Sequence, residues 1–330
     1  MSLHVDGLIA PRSSLPELLD QYKSLIKEAK GLCITTENPK STKTPVSVQR
    51  FLKAMLDCAP PGARDYVINS ILATQGDPEK LLLQANIWFN NIIIPMRASG
   101  EKTPSGITPK PDPPIQVEFT PRTVKFDELT RERDGYRTSV TRLPLIGCLD
   151  VGPEESRAYV ELAHIIPWST ISRKKDADEL HATWGIIQQF GGIPPSDITG
   201  RINEPFNRLV MTLDEHHSFD RFDWCLIPDP YHIPPIPHCY MVRVHEKMHG
   251  TPVDGTIVTF LDHRDPGDTT HLPDPRFLRL HAAVAGIIHM SGAAEYIAKY
   301  LQDLRETRVL ATDGGTPIMT LLTVHSLNKV

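Results

Sequence analysis

Cysteine is scarce in this sequence and follows no pairing pattern. Its five residues, Cys33, Cys58, Cys148, Cys225 and Cys239, are odd in number and contain no CxxC spacing. That points away from a disulfide framework and from a zinc ribbon, and towards a reducing compartment. Positive charge is not in excess either. The 35 Lys and Arg stand against 40 Asp and Glu, a net charge of -5, so the chain as a whole exerts no pull on a polyanion and a nucleic-acid surface must be local. No apolar run approaches the roughly 18 residues of a membrane span. The opening MSLHVDGLIAPRSS lacks the basic start and apolar stretch of a secretory signal. An intracellular protein, cytoplasmic or nuclear, with no membrane partner is expected. Also missing are a phosphate-binding GxxxxGK[ST] loop, a GxGxxG after a strand and a GxSxG elbow.

Proline, by contrast, is abundant. Thirty residues of it predict long irregular connections and confine helices to the segments it avoids. SSLPELLDQYKSLIKEAKG opens with a capping-box pattern, Ser14 to Glu17, and sets Leu15, Leu18, Leu19, Tyr22, Leu25 and Ile26 on one helical face before Gly31. Further helices are expected at 47–57, 64–74 and 78–92, the last with Asp77 as N-cap and Pro78 at the first helical position. Residues 1–97 thus read as a helical N-terminal domain. Residues 98–118, with five Pro, read as a linker or strap. Beyond it come β-type runs, YRTSVT, AYVELAHII, RLVMT, WCLIP, YMVRV and TIVTFL, with helix-like pieces near 174–190 and 212–220. Residues 119–270 therefore read as one domain of a mixed α+β chain, and 271–330 as a C-terminal helix and tail.

Two pieces of that domain carry chemistry when taken together: ELAHIIPWS at 161–169 and NRLVMTLDEHHSFD at 207–220. His164, Asn207 and His216, in this order and with nine residues from Asn to the second His, resemble the motif of the HNH endonucleases. RERDGYRTSVT at 131–141 resembles the start of that domain in the fungal branch of the family. The likeness spans about 119–245. It implies an HNH-like ββα-metal core, with one His ending a strand, an Asn on the loop into the second strand and the last His on a short helix. It further implies that His164 is a general base for water, that Asn207 holds that ring or pins the loop, and that His216 is a ligand of a divalent cation, Mg²⁺ or Mn²⁺, in hydrolysis of DNA phosphodiesters. Asp220, four residues after His216, shares its face on a helix and is expected to bind the same metal. Trp168, Phe219 and Phe222 are expected to pack the small helix on the strands.

The sequence departs from the family in three places. Ala163 stands where many HNH enzymes have an acidic or His ligand, and Thr138 where the family often has Cys. Residues 119–262 hold 15 Lys and Arg against 21 Asp and Glu. The candidate phosphate contacts are Arg133, Arg137, Arg173, Lys174 and Lys175, with Arg131 beside them. Two other classes stay open. One is an HNH scaffold repurposed as a metal-independent isomerase or cyclase, with His164 and His216 as acid and base on a small-molecule substrate in an enclosed pocket. The other is a non-catalytic interaction protein. HEKMH at 245–249 has the letters of a zinc-protease helix, but it follows a β-rich run and meets Gly250 and Pro252, which leaves no room for that helix.

Overall fold

The computed structural model describes residues 15–34, 45–98, 124–146, 148, 151–152, 154–167, 170, 177–267 and 271–306. The expected cap Ser14, the strap from residue 99 to 118, Trp168, the basic run Arg173, Lys174 and Lys175, and the tail from 307 lie outside them.

The first helix, α1 (Leu15–Leu25), tightens into a 3₁₀ turn, Ile26–Ala29, and stops at Gly31, whose φ of +84° suits a residue without a Cβ. A two-residue antiparallel pair follows, β1 (Cys33–Ile34) with β2 (Val46–Ser47). Helices α2 (Val48–Asp57) and α3 (Arg64–Leu72) then form where the apolar spacing places them. In α4 (Pro78–Trp88) the Asp77 carboxylate accepts from the backbone N–H of Glu79 and Lys80 at 2.9 and 3.1 Å, as an N-cap should. The helix does not end there. It passes through a π-helical turn, Phe89–Ile93, into α5 (Ile94–Ala98), where Pro95 breaks the regular ladder.

After α6 (Val124–Arg133), YRTSVT is not the expected strand. Arg137 and Pro144 make an isolated bridge, and the backbone between them turns back, with Tyr136 and Arg142 at φ of +54° and +60°. The reason lies in its short polar side chains. Thr138 Oγ1 accepts from Leu143 N–H, Ser139 donates to the Asp134 carboxylate and accepts from the distant Val210 N–H, and these side-chain bonds take the place of a ladder. Thr138 itself is fully buried.

The functional segment is an antiparallel pair, β3 (Val160–His164) with β4 (Arg208–Thr212), in a register that sets Ala163 against Leu209 and His164 against Arg208. Between them lie α7 (Ala177–Gly191) and the single turn α8 (Pro195–Ile198). From β4 the chain enters α9 (Leu213–Asp220) through a complete capping box: Thr212 Oγ1 accepts from Glu215 N–H, and the Glu215 carboxylate accepts from Thr212 N–H. A three-stranded meander follows, β5 (Trp224–Pro228), β6 (Cys239–Val244) and β7 (Ile257–Thr259). Residues 245–249 are not helical. Two helices, α10 (Pro275–Ser291) and α11 (Ala293–Glu306), close the described chain. The class is α+β, with small sheets set among helices. Among the described residues no single helix is long and apolar enough to cross a membrane.

A large apolar core runs through most of this, with a small separate cluster of Leu145, Leu162 and Val210. The large core joins Phe51 and Leu52 of α2, Trp88 and Phe89, Ala163, Leu209, Phe219, Trp224 and Ile287 in a continuous buried cluster. Helix α10 is its axis, packing on α2 along one side and on β5 along another. Its Gly286 is required there: a Cβ at that position would lie 2.7 Å from Cys58 Sγ.

The same helix seats α9. His281 is buried and stacks on Phe219 and Phe222, with ring centroids 3.8 and 4.4 Å apart. Burial drives its pKa down to about 3, so the ring is neutral. Below the ordinary value of 6.5 the unfolded chain takes up a proton here that the folded chain refuses until about pH 3. Stability should therefore fall by about 1.4 kcal/mol per pH unit from this ring alone as pH drops across that window. His245, lowered to about 4 by burial and by His289, acts in the same direction. Urea midpoints measured from pH 7 to pH 4 should decline less steeply in a His281→Phe variant, and an unchanged slope would rule this ring out as a source of acid sensitivity.

Candidate functional site

His164 ends β3 and is half-buried. Its Nε2 lies 3.0 Å from Asn203 Oδ1. The same amide oxygen accepts from Arg208 Nη2 at 3.3 Å, and the Arg208 guanidinium, wholly buried, is paired with the Asp127 carboxylate of α6. These residues share one face of the pair, because Arg208 stands directly opposite His164.

Asn207 does not hold that ring. It is fully buried, and its amide works on backbone: Nδ2 donates to the carbonyls of Ile166 and Ile202, each at 2.9 Å, and Oδ1 accepts from Ile166 N–H at 2.8 Å. Its own carbonyl accepts from Ile165 N–H at 2.9 Å. Of the two expected roles, pinning the loop is the one the geometry displays.

His216 sits on α9, which packs over the opposite face of β3. Its Nδ1 is 2.8 Å from Glu161 Oε2, and its Nε2 is 3.2 Å from Asp220 Oδ2. Glu161 and His164 are three residues apart on one strand, so they point to opposite faces. The structure thus brings His216 and Asp220 together and keeps His164 with Asn203 in a separate cluster. Burial disfavours charge on His216, but Asp220 and Glu161 outweigh it and raise its pKa to about 9. His217, its neighbour, faces solvent.

Do these residues suit a divalent cation? In an octahedral shell with metal–ligand distances of about 2.0–2.1 Å, adjacent ligand atoms are about 3 Å apart, and His216 Nε2 and Asp220 Oδ2 are at 3.2 Å. An imidazole and one carboxylate suit Mg²⁺ or Mn²⁺, which keep several waters. Glu161, on the far nitrogen, is placed to hold Nδ1–H, and a cation at Nε2 would displace the proton that the ring, with its raised pKa, keeps there at neutral pH. Among the described residues no group of three or more His, Cys, Asp or Glu side chains forms an all-protein cage. Ala163 explains part of this. It is fully buried in the core opposite Leu209 and offers no ligand atom.

The positive candidates fare differently. Arg133 is corrected from a phosphate contact to a core residue: it is wholly buried, and all five of its N–H donors are used. Nε and Nη2 reach the two Asp134 oxygens at 2.7 and 2.9 Å, Nη1 reaches the carbonyls of Pro205 and His271, and Nη2 also reaches that of Arg208. Arg137 is committed to both oxygens of Glu155, at 3.1 and 3.2 Å, and to the Arg142 carbonyl. Arg131 pairs with Glu128 at 3.5 Å.

Sequence reading missed Asn203, Asp127 and Glu161. Glu161 had a signal, since it is a charged residue on the helix-facing side of an otherwise apolar strand. Asn203 had only its position four residues before Asn207.

Residues 141–227 of the 330 match a family model described as HNH endonuclease. No curated protein and no solved structure matches the chain.

Proposed function

From the match of residues 141–227 to a family model described as HNH endonuclease, we propose that this protein is a metal-dependent endonuclease that hydrolyses DNA phosphodiesters. The observation that carries the proposal is the His216–Asp220 pair on α9, 3.2 Å apart and backed by Glu161, next to a strand that ends in a hydrogen-bonded His164. His164 serves as general base for the attacking water. Asn207 fixes the backbone just beyond it, so the ring has one place to be. His216 and Asp220 would hold Mg²⁺ or Mn²⁺, which would supply positive charge for the leaving oxygen and the phosphoryl group.

The spacing favours this reading over paired acid–base chemistry on a small molecule. Glu161, which holds His216, and His164 point to opposite faces of β3, so the two imidazoles do not share an enclosed pocket. A substrate reached by both must cross the end or edge of the strand. One observation favours the repurposed-enzyme reading instead, namely that Arg133 and Arg137 are spent on internal partners and add little positive surface for DNA.

The deciding experiment is nicking of supercoiled plasmid by the purified full chain. Nicking is expected in Mg²⁺ or Mn²⁺, and not in EDTA. Absence of nicking in either metal, or nicking that His216→Ala leaves unchanged, removes the proposal. Glu161→Gln should raise the Mn²⁺ concentration for half-maximal nicking about 10- to 100-fold, because a residue that orients a ligand sets metal affinity without touching the metal.

A further inference from the structure

We propose that Asn203 is the positioning residue for His164, fixing the imidazole proton on Nε2 and thereby making Nδ1 the nitrogen that accepts a proton from water. This rests on the reading of His164 as a general base.

A neutral imidazole carries one N–H and one lone pair, and which nitrogen has which depends on the partner each one meets. An amide oxygen can only accept. At 3.0 Å from Asn203 Oδ1, His164 Nε2 is therefore the donor. The amide could in principle be turned to present its NH₂ group, but Arg208 forbids it: a guanidinium has donors only, and its Nη2 lies 3.3 Å from the same oxygen. Arg208 is in turn immobilised by its complete burial and by the Asp127 carboxylate. A chain of contacts thus runs from α6 through β4 to the ring, and each member fixes the orientation of the next.

The two asparagines divide one task. Asn207 ties the Ile166 backbone, two residues after His164, to the Ile202 carbonyl, one residue before Asn203. It clamps together the two backbone segments that carry the ring and its partner. Asn203, 6% exposed, then makes the side-chain contact itself.

The test is the tautomer. In two-bond ¹H–¹⁵N spectra of the ¹⁵N-histidine protein, with His164 assigned by its absence from His164→Ala, the wild type should show the Nε2–H form. Asn203→Leu should shift the ring to a mixture containing Nδ1–H and lower kcat for nicking by roughly 10²-fold with little change in KM. Asn203→Asp, whose carboxylate can accept from both His164 and Arg208, should keep the Nε2–H form and restore kcat to within about tenfold of wild type. A wild-type ring found as Nδ1–H overturns the assignment even if the variants do not fold. So does a folded Asn203→Leu with wild-type tautomer and kcat. Should the wild type nick nothing, the nuclease reading fails, while the spectrum still decides whether Asn203 sets the proton.

Discussion

His164→Ala is expected to lower plasmid nicking by roughly 10²–10⁴-fold at saturating Mn²⁺, the usual contribution of a positioned general base, with the melting temperature close to wild type. The imidazole ends a strand, is half-buried and is not part of the apolar core. Loss of the ring should therefore cost turnover far more than stability. Rate and melting temperature together make the test sharp. A variant that melts like wild type and nicks within tenfold of it would show that water is activated elsewhere, and the whole cluster around Asn203 would then be structural.

Arg133→Ala is the substitution expected to damage the fold most. It strips Asp134, only 2% exposed, of its cation and deprives the carbonyls of Pro205, Arg208 and His271 of donors. Breaking a buried ion pair from one side typically costs about 3–5 kcal/mol because the remaining charge is stranded. The loss should be read as a drop in the urea midpoint. Arg133→Lys should recover only part of it, since an ammonium brings three donors and no planar fork to a site that uses five. A change below about 1 kcal/mol in Arg133→Ala would mean that the Arg133 donors are not what holds α6 against the start of β4.

Much of this molecule could be read before it was seen, and the legible part is local. Asp77 and Pro78 announce a helix start because the cap needs only residues two and three places on. Strands β3 and β4 show themselves by composition alone. His216 and Asp220 meet because four residues make roughly one helical turn. What escaped depends on distant partners. A guanidinium at position 133 looks like any surface charge until Pro205 and His271, 72 and 138 residues on, are found to offer it carbonyls. Asn203 reaches His164 across 39 residues with no pattern to mark the pairing. YRTSVT reads as a strand by propensity, and it turned because its hydroxyls found backbone groups to satisfy. The three metal-free claims of the motif, a strand-end His, an Asn on the loop into the second strand and a helical His, were legible. The separation of the two imidazoles onto opposite faces was not, because it follows from strand parity at Glu161 and from which face α9 covers.

The placement of α10 against both α2 and β5 has a consequence for how the protein comes into being. Helices made early in synthesis leave apolar surface uncovered until residues 275–291 arrive to fill the gap between them and the later strands. At ordinary elongation rates of about 5–20 residues per second, that is a wait of roughly 10–40 s after residue 98 has been added. During this interval the nascent chain offers a sticky, half-built interior, and a ribosome stalled inside the meander would leave a product prone to capture by chaperones.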